Sequence, residues 1–254
     1  MGTNPRTFIE TAEIGQLSTA EAAVETTRPL DLDKLPAGVV SGPTLIDFSG
    51  VPSLNVRAGV SLSMLFASRV ATQAVKKNGG DEDDWLAAYT SSLSSLGFAL
   101  AGTALVESSF KKTGIEVHKA IIPFLTVAFG GAAVGPVILA ALRDLQSMNA
   151  DRPWIQLFDR EAKRFRVREL HFAAASSTPL DTSIRYAIAR LNVESSMTSI
   201  LFFKISQASA KFQSATTTMS ANNSLMAVTE PDLRLRLGDM ATTFIADASI
   251  RDGE

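Results

Sequence analysis

WLAAYTSSLSSLGFALAGTALVESSFKKTGIEVHKAIIPFLTVAFGGAAVGPVILAAL, Trp85 to Leu142, is a long, largely apolar segment near the middle of the chain. Two blocks inside it carry no charged side chain: 22 residues from Trp85 to Val106 and 23 residues from Ala120 to Leu142. A polar connector, Glu107 to Lys119, separates them. An α-helix rises about 1.5 Å per residue, so either block as one helix would reach roughly 33 Å, close to a bilayer's hydrocarbon thickness. In the first block Leu86, Tyr89, Leu93, Leu96 and Leu100 fall at alternating spacings of three and four, which is one helix face. Thr90, Ser91, Ser92, Ser94 and Ser95 fill the outer face with hydroxyls. Asp81, Glu82, Asp83 and Asp84 suit the positive start of such a helix, and Lys111, Lys112 and Gly114 suit its end.

The second block is broken by Pro123, the Gly130–Gly131 pair, Gly135 and Pro136. A proline inside a helix costs about 3 kcal/mol. The spacing therefore predicts a helix over 115–129, a glycine turn, and a second helix over 136–148 with Pro136 at its first position. Each piece is too short to span a bilayer alone. Two readings follow: buried helices of a soluble bundle, or an apolar hairpin held in the core and released onto a membrane. Gly131 and Gly135 form a GxxxG, which reports close helix packing.

On the N-terminal side, residues 1–42 read as an arm and linker, rich in Thr, Glu, Ala and Pro. Ser18 with Glu21 forms a capping box, which predicts a short helix over 19–25. TLIDFSGVP, Thr44 to Pro52, offers a short strand or a docking segment. From Val60 the residues Leu62, Leu65, Phe66, Arg69, Val70 and Gln73 follow the helical period, ended by Asn78-Gly79-Gly80.

Toward the C-terminus the pattern changes at Asn149. PWIQLFDREAKRFRVREL reads as a β-hairpin: Ile155 and Leu157 alternate, DREAK turns, and Phe165 and Val167 alternate again. Residues 183–194 alternate through Ile184, Tyr186 and Ile188 with a bulge before Leu191, and 200–212 supplies another strand. Asn222 is a cap, and 225–247 reads as helix broken around Pro231 and Gly238. The expected class is α+β: an N-terminal helical bundle with an apolar hairpin, then an antiparallel sheet of about four strands and a C-terminal helix. After the arm, 43–254 would form a single α+β domain, with its helical part at 60–148, its sheet at 153–216 and a second helical part at 224–248.

Composition narrows the function. The apolar share of 46% can fill a sizeable core, and a net charge of −2 gives no general attraction to nucleic acid, so none is expected as a partner. The absence of cysteine excludes disulfides, thiolate metal sites, cysteine nucleophiles and cysteine acylation. MGTNPRTFIETAEIG lacks the basic and apolar run of a signal peptide, which predicts cytoplasmic synthesis, with export by a specialised or non-classical secretion route left open.

Trp85, Tyr89, Leu93, Ser94, Gly97 and Phe98 within DDWLAAYTSSLSSLGF resemble a recurring segment of a group of bacterial α+β proteins. ILFFKISQASAKFQ and RLGDMATTFIADASI resemble that group's closing strand and helix. More distantly, the pattern is similar to the virulence factor Evf. That resemblance implies an α+β fold and a virulence or toxin-like setting, with membrane attachment through an acylated cysteine. This chain has no cysteine, so the attachment chemistry does not carry over, and the matched residues are fold-forming.

No nucleophile elbow, phosphate loop or dinucleotide glycine pattern occurs. His118 and His171 have no carboxylate at ligand spacing beside them, so no metal or other cofactor is expected. Asp81 to Asp84 lacks the alternation of a calcium loop and reads as a helix start. A basic cluster remains: Arg160, Lys163, Arg164, Arg166 and Arg168. On a strand, Arg164, Arg166 and Arg168 share one face, either solvated and paired with Asp159, Glu161 and Glu169 or turned to lipid phosphates. The reading is thus a non-enzymatic, membrane-active or host-interaction protein with a sequestered apolar hairpin. Gly130, Gly131, Gly135, Arg164, Arg166 and Arg168 are its candidate contacts, and a lipid membrane or host component its partner. The alternative is a structural or binding module, homo-oligomeric through the N-terminal arm, whose apolar helices are only core or interface.

Overall fold

The computed structural model describes residues 4–16, 30–101, 104–108, 115–129, 135–145, 148, 152–162, 168–192, 204–205 and 211–248. The elements begin with α1 (Pro5–Thr11), a 3₁₀ turn (Leu32–Lys34), β1 (Gly38–Ser41), β2 (Thr44–Gly50), α2 (Leu54–Asn78) and α3 (Glu82–Ser95). The middle holds β3 (Ala99–Leu100), β4 (Ala104–Ser108), β5 (Ile115–Glu116), α4 (Val117–Ala128), α5 (Pro136–Asp144) and α6 (Pro153–Ala162). The last part is β6 (Arg168–Ser177), β7 (Asp181–Asn192), β8 (Lys204–Ile205), β9 (Lys211–Asn222), α7 (Asn223–Leu237), α8 (Asp239–Phe244) and β10 (Ile245–Asp247).

α3 starts where the acidic run predicts. The Asp81 carboxylate accepts the backbone N–H groups of Asp83 and Asp84, and Asp84 accepts that of Asp81, a reciprocal capping box. Those bonds hold the Asp81 carboxyl below its usual range. The stop comes earlier than the charge pattern suggests. Gly97 takes φ +96°, Phe98 N–H reaches back to the Leu93 carbonyl, and Gly97 N–H reaches that of Ser94. This is a Schellman stop. A Cβ at Gly97 would lie 2.3 Å from the Leu225 side chain, on a backbone that L-residues rarely adopt. Gly97→Ala is expected to cost about 1–3 kcal/mol in denaturant unfolding. Gly79→Ala, at φ +71° with nothing within 4 Å, should cost less in the same measurement.

Beyond Gly97 the chain is strand, so the first charge-free block is half helix and half sheet edge. β3 and β4 lie in one line against β9, pairing Ala99 with Ser220 and Ala104 with Thr216. The sheet order is β10-β1-β2-β6-β7-β9-β3, with β4 continuing the last position. That is eight strand segments at seven positions, where the sequence predicts about four strands. It is mixed rather than antiparallel, because β2 runs parallel to β6 with Leu45 opposite Phe172. β7 runs without interruption against both neighbours; the register shift lies instead between Asp47 and Gly50 on β2.

Helices cover both faces. α2 packs against α3 and α7 on one side, while α4, α5 and α6 lie against β7, β2 and β6 on the other. The two charge-free blocks therefore do not pair as antiparallel rods: α3 packs on α2, and α4 on α5. PWIQLFDREA is helix α6, not the expected hairpin. Trp154, Phe158 and Ala162 recur every four residues and are buried, with the Phe158 ring 5.7 Å from that of Phe172. α7 runs through Pro231 and ends at Gly238, and the chain then returns to the sheet edge as β10.

The stretch read as arm and linker holds α1 and β1. Arg236 donates to the Ile9 and Ala12 carbonyls, and Arg6 pairs with Asp232 at 3.0 Å, so α1 is pinned to α7 of its own chain. The helix predicted over 19–25 lies outside the described residues.

Candidate functional site

Two features stand apart from ordinary core packing. The first is a chain of polar groups between α3 and the sheet. Alternate residues of a strand share a face, so Glu169 and His171 on β6 point the same way, as do Tyr186 and Arg190 on the neighbouring β7. Arg190 Nη1 donates to Asp83 at 2.6 Å and Arg190 Nε to Glu169 at 2.5 Å. Glu169 Oε2 lies 3.1 Å from His171 Nε2, and His171 Nδ1 lies 2.5 Å from the Tyr186 hydroxyl. Both imidazole nitrogens thus have a side-chain partner, a carboxylate on one side and a phenol on the other. Trp85 stands edge-on to His171, stacks on Tyr89 at 4.9 Å, and donates its indole N–H to Thr72.

Only the Asp83 end meets water; His171 is 1% and Tyr186 2% exposed. Burial opposes ionisation of Glu169, but the hydrogen bonds from His171 and Arg190 and the nearby Arg190 charge outweigh it and hold the carboxyl below its usual range. Burial would also weaken the Arg190 guanidinium, yet Glu169 and Asp83 keep it above its ordinary value. Burial, with Tyr89 adding to it, pushes the Tyr186 phenol well up. Through Asp83 and Arg190 the chain ties α3 to β6 and β7.

The histidine reading is corrected here: His171 does have a carboxylate partner. Glu169, two residues earlier on the same strand, was the available signal. Among the described residues no group of three or more His, Asp or Glu could hold a metal ion.

The second feature is the helix pair α4–α5. Its inner side chains, Ile121, Leu125, Phe129, Ile138 and Leu142, are fully buried. Its outer surface is unusual. Pro123 is exposed and Val127 is 81% exposed, on a stretch with no charge between Lys119 and Arg143. Pro136 opens α5 as predicted, after Gly135 at φ +94°, whose hydrogen lies against the Phe129 ring.

Of the predicted contacts, Gly135 therefore sits at the joint of this pair, while Gly130 and Gly131 lie outside the described residues. Arg164 and Arg166 lie there too. Arg168 opens β6 opposite Leu191, and Arg160 stands on α6 with its guanidinium 4.9 Å from the Phe244 ring. An open groove of about 550 Å³ lies between Glu13–Gln16, Gln73 and Arg236–Met240. Two of its charged groups are already engaged: Glu13 pairs with Lys77, and Arg236 holds α1.

Fold and site together define an α+β protein, a mixed sheet between two helical layers. No protein-family model matches this chain, and no curated protein matches it, so the likeness to Evf finds no support there. Among solved structures, one titled delta-endotoxin is similar at 13% identity and a TM-score of 0.35, covering 71% of this chain and 81% of that one. That score is too low to argue a shared fold or activity.

Proposed function

We propose that this is a non-enzymatic, membrane-active or host-interaction protein of toxin-like type, in which the helix pair α4–α5 leaves the sheet to meet a lipid surface. One observation carries the reading: between Lys119 and Arg143 the described residues of the pair present uncharged side chains outward, with Val127 81% exposed, over an apolar inner face. Lysines and glutamates would be the usual residues there. At about 1.5 Å per residue the two helices measure roughly 18 and 14 Å, well short of a bilayer's roughly 30 Å. No helix among the described residues is long and apolar enough to cross a membrane. The pair would therefore lie in the interface, its inner face turned to acyl chains. Losing sheet contacts costs about 25 cal/mol per Å² of apolar area, and a membrane returns that area to an apolar medium.

The test is dye release from anionic and neutral liposomes. Wild-type protein should release dye, and Val127→Glu should cut release at least fivefold while its melting temperature stays unchanged, since the residue is exposed. No release at any pH or lipid composition, together with a dimeric or larger mass in solution, would assign the pair to a subunit interface instead.

A further inference from the structure

We infer that Asp47 and Arg185 form a two-point latch that sets how readily the helix pair α4–α5 leaves the sheet, an inference that rests on the reading of this pair as the releasable element. The contacts of the pair's inner face are apolar, and such contacts are not directional. Two charge-assisted hydrogen bonds supplement them. Asp47, buried on β2, accepts the Val137 backbone N–H on Oδ2 at 2.7 Å. Val137 is the second residue of α5, so the carboxylate stands at the positive end of that helix. Oδ1 of Asp47 is fixed by the Ser49 N–H at 2.8 Å and by the Ser49 hydroxyl.

The other point is on β7. Arg185 Nη1 donates to the Phe129 carbonyl at 2.6 Å, at the C-terminal end of α4, where a cation complements the helix dipole. The two bonds therefore grip the joint between the helices from either side. β6 lies between β2 and β7, so the grip spans three strands of the sheet. Phe129 and Gly135 close against each other within the same joint. Neither latch residue is needed to fill the apolar core: Arg185 is exposed on its strand, and Asp47 acts through its carboxylate.

The latch makes local opening, not global unfolding, the event it controls. Amide hydrogen exchange on the full chain without lipid reads that event directly. In Arg185→Gln, amides over 120–128 and 138–144 should exchange about tenfold faster, while those of α2, β6 and β7 keep their rates and the melting temperature holds. Asp47→Asn keeps an acceptor oxygen but loses the charge, and should accelerate the same amides by a smaller factor. Unchanged exchange in the helix pair, or acceleration spread evenly over the chain, would overturn the latch. The same variants in the liposome assay separate the two ideas. Faster exchange with greater release supports both; faster exchange with no release leaves the latch standing and removes the membrane reading. More release without faster exchange overturns the latch.

Discussion

Gly38→Cys/Val137→Cys, oxidised, is expected to release no dye from anionic liposomes, and a reductant should restore release to the wild-type level. A Cβ on Gly38 would lie 2.6 Å from Val137 Cγ1, so β1 and the first turn of α5 already approach within reach of a disulfide. The natural chain has no cysteine, so the introduced pair has no competing partner. The bridge ties α5 to an inner strand at the residue whose N–H Asp47 holds. It closes a loop of about 100 residues, which should raise stability by roughly 2–5 kcal/mol. The added Cβ meets the Ala248 carbonyl at 3.2 Å, a tight contact that takes some of that gain. Release at least tenfold below wild type when oxidised, and recovery on reduction, would show that α5 must separate from the sheet. Undiminished release from protein shown by mass to be bridged would sink the proposed movement while leaving the fold untouched.

Some of this was legible from residues alone. The start of α3 was, because Asp81 and Asp84 satisfy each other's backbone within four residues and need no distant partner. Pro136 at the head of α5 and Asn222 before α7 were legible for the same local reason. The sheet was harder. Val39, Val40, Leu45 and Ile46 are buried on both faces of inner strands, so they form a short apolar run without alternation, which the nearby Gly42 and Pro43 made resemble a linker. The switch from helix to strand after Gly97 was masked because both halves lack charge, and Leu100 continued the helical spacing by chance. At α6 the residues Ile155 and Leu157 alternated convincingly, yet Trp154, Phe158 and Ala162 carried the pattern that packing selected. The polar chain from Asp83 to Tyr186 joins residues more than a hundred positions apart. It becomes visible only once β6 and β7 are in register, as does the grip of Asp47 and Arg185 on the helix joint.

Arg190→Met should be the most damaging single substitution in that polar chain, lowering stability by about 3–5 kcal/mol at pH 7 in urea unfolding. The methionine fills much of the same volume, so the loss is electrostatic: Glu169 keeps its charge inside the protein without the guanidinium 2.5 Å away. The pH dependence gives the effect a signature. In the wild-type protein the Glu169 carboxyl lies below its usual value when folded. Its ionised form therefore adds stability above the unfolded carboxyl value of about 4.3, and that stability is lost as pH falls through the lower folded value. In the variant, burial acts on Glu169 without Arg190 to oppose it, so the folded carboxyl rises and takes up a proton sooner as pH falls. The gap between wild type and variant should therefore be widest near pH 7 and should narrow on acidification. Asp83→Asn, at the wet end of the chain, removes a partner that is 67% exposed and should cost no more than about 1 kcal/mol. A loss below about 1 kcal/mol for Arg190→Met, or one equal at pH 4 and pH 7, would mean that apolar packing alone holds α3 against the sheet. Trp85 and Tyr89 would then carry the attachment, and Glu169 and His171 would be satisfied passengers of it.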